Sequence, residues 1–160
     1  MVTGSGATRS TALTTLAEAA AFAGTEPGFP WTKHPPATPF EPDLPLTVDE
    51  DAAGVLADWF ALGQEALTAL VAELADEDPS APQIFPEHFD LGVTAGPVNY
   101  GFSPGDDGIP EPYVYVGPHQ LPVDGDFWNA PFGAYRTRSE VAGGSQALEF
   151  LLAGHTALGL

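Results

Sequence analysis

The chain predicts an α+β domain: a small antiparallel sheet of three to four strands, with one long helix and one or two shorter helices packed on one face. Three observations carry this. Apolar residues recur at helical spacing through 47–76. From residue 82 onward the period falls to two, as in half-buried strands. The alternating runs are separated by short Gly/Pro turns, which favours neighbouring antiparallel strands over crossover connections.

Taken in order, residues 1–10 read as a flexible N-terminus and residues 11–160 as a single domain. Residues 11–23 are rich in helix formers, with Leu13, Leu16, Ala20 and Ala23 on one face and Gly24 as a C-cap. This stretch resembles a leader peptide superficially, but Glu18 interrupts the apolar run, so it reads as a helix of a cytoplasmic protein. Residues 25–46 hold seven prolines, which excludes helix and central strand. Phe29, Trp31, Phe40 and Leu44 among them suggest an extended segment anchored by its apolar side chains.

The stretch 47–76 is the long helix. Thr47-Val48-Asp49-Glu50 fits a capping box, and Asp76-Glu77-Asp78-Pro79 stops the helix where acids oppose its dipole. Residues 84–94 read as one strand, with Phe89, Leu91 and Val93 on one side and His88, Asp90 and Thr94 on the other. Gly96-Pro97 turns into a second strand, 99–103, and Ser103–Gly108 forms the next turn. Pro112–Val116 is the third strand, and Phe132–Tyr135 is a candidate fourth. Ser145–Leu158 is a closing helix capped by Ser145.

Composition narrows the function. The 160 residues contain no cysteine, which removes disulfides, thiolate metal sites and a cysteine nucleophile. Lys plus Arg total 4 against 22 Asp plus Glu, a formal charge of -18, so a nucleic acid or an anionic membrane surface would be repelled. No stretch of the sequence reads as a membrane span. There is no dinucleotide fingerprint or phosphate-binding Gly-Lys loop, so no nucleotide cofactor is expected.

Folding the meander on paper gathers a polar face. If Leu91 and Val93 pack on the helices, His88, Asp90 and Thr94 look the other way. Asn99 and Ser103 would join from the second strand, and Glu111, Tyr113 and Tyr115 from the third. The lead reading is a small-molecule-binding or structural domain with its ligand cleft at His88, Asp90, Asn99, Ser103, Glu111, Tyr113 and Tyr115. One alternative is a metal-dependent, hydrolase-like enzyme with a divalent ion on His88, Asp90 and Glu111, and with His119 as a further ligand. His88 and Asp90 are the candidate catalytic pair for acid–base chemistry. A second alternative is an interaction subunit that presents the Pro/aromatic segment 25–46. Against these, His88 and Asp90 can simply be satisfied side chains at a turn. Asp106-Asp107-Gly108 lacks calcium-loop spacing and reads as a turn, while His34 and His155 read as surface residues.

Four strings carry a resemblance: Phe85-Pro86-Glu87-His88-Phe89-Asp90-Leu91, Tyr100-Gly101-Phe102-Ser103-Pro104-Gly105-Asp106, Glu111-Pro112-Tyr113-Val114-Tyr115-Val116-Gly117-Pro118 and Phe127-Trp128-Asn129-Ala130-Pro131-Phe132-Gly133-Ala134. Together they resemble an uncharacterised group of actinobacterial proteins with a Trp-Pro-Glu-His-Phe-Asp-type signature, Phe85 standing here where that group has tryptophan. The resemblance covers most of residues 13–160. It implies that this chain corresponds to the C-terminal part of a longer one, whose exposed faces would meet an N-terminal portion, a partner chain or a second copy. It implies no activity and no catalytic residue.

Overall fold

The computed structural model describes residues 9–28, 39–120 and 125–160. The chain divides into two compact units, Met1–Ala53 and Gly54–Leu160, with the boundary just after the start of the helix that begins at Glu50. In the first unit, helix α1 (Leu16–Ala23) is shorter than the sequence pattern suggests. Thr15 caps it by accepting the Glu18 amide, and Gly24, at φ 75°, closes it in the left-handed region. Two backbone bonds, Ala17 N–H to the Pro42 carbonyl and Leu46 N–H to the Thr14 carbonyl, tie this helix to the end of the Pro-rich segment. The expected aromatic anchors Phe29 and Trp31 lie outside the described residues.

Helix α2 runs Glu50–Glu73. Its cap is Asp49 and not Thr47: the Asp49 carboxylate accepts the Ala52 amide at 3.0 Å. An aspartate at this position both satisfies an orphan amide and complements the dipole, which outcompetes a threonine two residues earlier. The helix ends near the expected acids, in a 3-10 turn at Ala75–Glu77 followed by Asp78 at φ 51°. By length and composition alone α2 could cross a membrane. Its apolar stripe, however, is used inside the fold: Trp59, Gly63, Ala66, Leu67 and Leu70 are buried.

The sheet has five strands, β1 (Gln83–Phe85), β2 (Asp90–Ala95), β3 (Val98–Ser103), β4 (Tyr113–Pro118) and β5 (Ala134–Thr137), in sequence order and antiparallel throughout. The stretch read as one strand over 84–94 is a hairpin instead. Pro86 cannot continue the ladder, and Phe89 takes φ 59°, so the chain reverses and Phe85 pairs with Asp90. Phe89 therefore leaves the apolar face and is 56% exposed, its ring meeting Phe60 of α2 at 5.8 Å. Helix α3 (Gly144–Ala157) starts from Gly143, with Ser145 inside its first turn.

Alternation then sorts every strand. Leu91, Val93, Ala95, Val98, Tyr100, Phe102, Val114, Val116 and Ala134 form the core with α2 and α3. The helices approach closely: a Cβ on Gly63 would lie 2.7 Å from the Phe102 ring. Trp59 stacks obliquely on Phe102 at 5.0 Å and donates its indole N–H to the Ser103 carbonyl at 3.0 Å.

One polar chain crosses this core. The Tyr100 hydroxyl shares a 3.0 Å hydrogen bond with His155 Nδ1, and His155 Nε2 lies 2.9 Å from the Glu77 carboxylate. His155, expected at the surface, is only 9% exposed. The apolar stripe of α3 turns it inward, where its two ring nitrogens find partners on β3 and on the turn after α2.

Candidate functional site

The sheet face turned away from α2 and α3 carries a cleft of about 430 Å³. The hairpin turn and β2 deliver His88 and Asp90, β3 delivers Asn99 and Ser103, and β4 delivers Tyr113, Tyr115 and Gly117. Each strand contributes alternate residues, as the pleat requires. Loops complete the cleft with Gly105, Asp106, His119 and Phe132. Its floor needs a glycine: a Cβ on Gly101 would fall 2.6 Å from the Tyr115 ring and hydroxyl. The bare strand lets Tyr115 lie flat across the sheet toward Asp90, to which it is hydrogen-bonded.

Asp90 is the most constrained group. It is 6% exposed, and its Oδ1 has no hydrogen-bond partner among the described residues. Burial pushes its carboxyl above the usual range, against hydrogen bonds from Ser103 and Tyr115 and the attraction of His88; Asp106 pushes the same way as burial. Asp106 goes the other way. Burial would raise it, but the Ile109 amide, the Tyr113 hydroxyl and the Gly108 amide together hold it below its ordinary value. Those contacts measure 2.8, 2.9 and 2.7 Å. The Asp106-Asp107-Gly108 turn is thus a turn, as read from sequence, but one that fixes a carboxylate against Tyr113. Burial, reinforced by Asp106 and Asp90, also pushes the Tyr113 hydroxyl up to about 12, and burial with Asp90 raises Tyr115. At the rim, Asn99 Oδ1 accepts from Thr94 at 2.8 Å and meets His119 Nε2 at 3.1 Å.

Six of the seven residues expected at the site, His88, Asp90, Asn99, Ser103, Tyr113 and Tyr115, line this cleft. Glu111 does not. It precedes β4, and its carboxylate is taken by the Ser139 amide at 2.6 Å and the Ser139 hydroxyl at 3.1 Å. It borders a separate cavity with Asp58, Trp59 and Arg138. The expected metal set of His88, Asp90 and Glu111 is therefore not assembled, and no group of three His, Asp or Glu suited to a metal ion occurs among the described residues. Sequence reasoning passed over Asp106 and Phe132. The signal for Asp106 was a Ser-Pro-Gly-Asp-Asp-Gly turn beside a strand that ends in Ser103; Phe132 enters from a loop with no periodicity to place it.

Phe89 adds local strain. A left-handed conformation costs an L-residue roughly 1–2 kcal/mol, and here it lies between His88 and Asp90. It is the kink that sets these two side chains at one end of the cleft. The chain matches no family model, no curated protein and no solved structure.

Proposed function

We propose that this is a small-molecule-binding domain and that the open-face cleft is its binding site. One observation carries the reading. A carboxyl that is only 6% exposed, with one oxygen lacking a partner among the described residues, forms part of the wall of a cleft large enough for a small organic ligand. The surrounding Tyr113, Tyr115 and Phe132 rings supply apolar area, and Ser103, Asn99 and the histidines supply orientation. The resemblance to the actinobacterial group belongs to the same proposal. All the lining residues except Asn99 and His119 fall within the four strings that carry it. A cytoplasmic location is part of it too, supported by the acidic, cysteine-free composition. The interaction-subunit alternative rests on segment 25–46, of which residues 29–38 lie outside those described.

Gly117 offers a direct test. It lines the cleft, and a Cβ there would meet nothing closer than 3.6 Å. Gly117→Leu should fill the cleft while leaving the fold intact. A library of polar aromatic fragments, followed by amide chemical shifts, should perturb β2, β3 and β4 in the wild type and leave the plugged variant unmoved. Hits that map to the helix side, or that survive the plug unchanged, would defeat the proposal.

A further inference from the structure

We infer that the cleft selects ligands bearing a cationic nitrogen, an ammonium or guanidinium on a small organic body, seated between the Asp90 and Asp106 carboxyls and the aromatic wall. The inference rests on the binding reading above and deepens it.

The charge inventory comes first. Asp90 senses the charge of Asp106, and both sense His88. Among the described residues, no lysine or arginine lines the cleft. The described arginines are placed elsewhere: Arg136 lies over Phe150 on the helix side, Arg138 borders the second cavity, and Arg9 lies over Phe22. Two carboxyls thus face one cleft with only the imidazoles of His88 and His119 as basic company. An anionic ligand would meet like charge, in a molecule whose formal charge is already -18.

The wall is the second, independent observation. Tyr113 and Phe132 are stacked, with centroids 6.1 Å apart and planes 25° apart. Tyr115 meets Phe132 edge-on at 6.3 Å and 82°. Rings at right angles make a corner that offers a π face and an edge, and a cation is drawn to the π face. The third is Asp90 itself, a cleft-lining carboxyl only 6% exposed whose Oδ1 has no hydrogen-bond partner among the described residues. A donor-only cation supplies hydrogen-bond donors to carboxyl oxygens and has no lone pair to clash with them. The raised Asp90 and lowered Asp106 fit a division of labour. Asp106 provides standing charge, while a cation seated beside Asp90 offsets the burial that disfavours its charged form.

The test uses benzylamine, tetramethylammonium and n-butylguanidinium as probes, with benzyl alcohol and benzoate as neutral and anionic counterparts. Binding to the full chain is followed by calorimetry and amide shifts in physiological salt, which screens surface charge. At least one cationic probe should bind about ten-fold or more tighter than benzyl alcohol, as charge-assisted and cation–π contacts imply. Asp106→Asn, Asp90→Asn and Gly117→Leu should each remove that preference, while Glu149→Gln, on the exposed side of α3, should leave it unchanged. Benzyl alcohol binding as well as benzylamine, and lost on plugging, would overturn the cation inference and leave the cleft reading standing. Cation shifts scattered over the acidic surface and indifferent to these substitutions would overturn the inference. So would stoichiometric Zn²⁺ that Asp90→Asn abolishes. Silence from every probe would overturn both readings.

Discussion

Replacing Asp90 by asparagine should make the protein more stable at neutral pH, and the gain should fade in acid. Asparagine keeps an amide oxygen to accept from Ser103 and Tyr115, the two hydrogen bonds the carboxyl receives. What it removes is a buried charge, while an amide NH2 takes the position of the oxygen that has no partner among the described residues. Those two effects oppose each other. A hydrogen bond to a charged acceptor contributes roughly 1.5–3 kcal/mol, against about 1 kcal/mol for a neutral one, while an unsatisfied buried polar group costs about 1–3 kcal/mol. The direction of the Asp90 shift decides between them. Its carboxyl is raised, so burial outweighs the hydrogen bonds and the attraction of His88 together. The ionised side chain is a net burden on the folded state, and its neutral isostere should be the more stable at pH 7, each 1 kcal/mol of gain reading as roughly 2–4 °C in melting temperature for a domain of this size. The pH sign follows by linkage. Between the ordinary aspartate pKa of about 3.9 and the raised value, the folded protein holds a proton that the unfolded chain has lost. Wild-type stability from this group is therefore intact below about pH 4 and declines as pH rises through that window. Asparagine does not titrate, and the other acids cancel in the difference. Urea unfolding followed by tryptophan fluorescence, with Trp59 in the core, should show the two proteins converging in acid and separating toward pH 7. A variant less stable at every pH, or a difference flat in pH, would refute the reasoning.

Tyr100→Phe and Glu77→Ala should each destabilise by about 1–3 kcal/mol, since each leaves a His155 ring nitrogen short of a partner. The double variant should cost less than the sum by about 0.5 kcal/mol or more, and strict additivity in a thermal-melt cycle would show that the two groups do not act through His155. Stability should also fall between about pH 10, where an unfolded tyrosine ionises, and about pH 12, where folded Tyr113 does; Tyr113→Phe should flatten that part of the alkaline stability curve. Gly63→Ala should lose stability, because overpacking against Phe102 costs about 1–3 kcal/mol and exceeds the helix-propensity gain of about 1 kcal/mol. Gly54→Ala, in the same helix with nothing within 4 Å, should instead gain about 0.5–1 kcal/mol, and equal effects at the two sites would argue against the close helix–sheet contact.

Period carried most of what could be read before the structure. Alternation in β3 and β4 put Tyr100, Phe102, Val114 and Val116 on one face and Ser103, Tyr113 and Tyr115 on the other, and the pleat enforces that division. The strand count missed the hairpin at 86–89, because its turn depends on Phe89 adopting a conformation that an aromatic residue seldom takes. Glu111 was misplaced for a related reason: it sits one turn before the strand begins, where alternation no longer dictates direction and Ser139 captures it. Asp106 and Phe132 reach the cleft from loops, and His155 is buried by partners more than fifty residues distant. No local pattern encodes such meetings.

The strict alternation along β2, β3 and β4 also bears on how this chain can change over generations. Odd and even positions serve different masters, so exchanging Ser103 or Tyr115 rewrites what the cleft recognises without touching Phe102 or Val116 beneath. Substitution is thus a permissive route to new ligands. Insertion is not: one added residue within β3 would turn Tyr100 and Phe102 outward and Asn99 inward at a stroke. Length variation should therefore accumulate in the loops 104–112 and 125–133, and diversity of recognition in single letters along the strands.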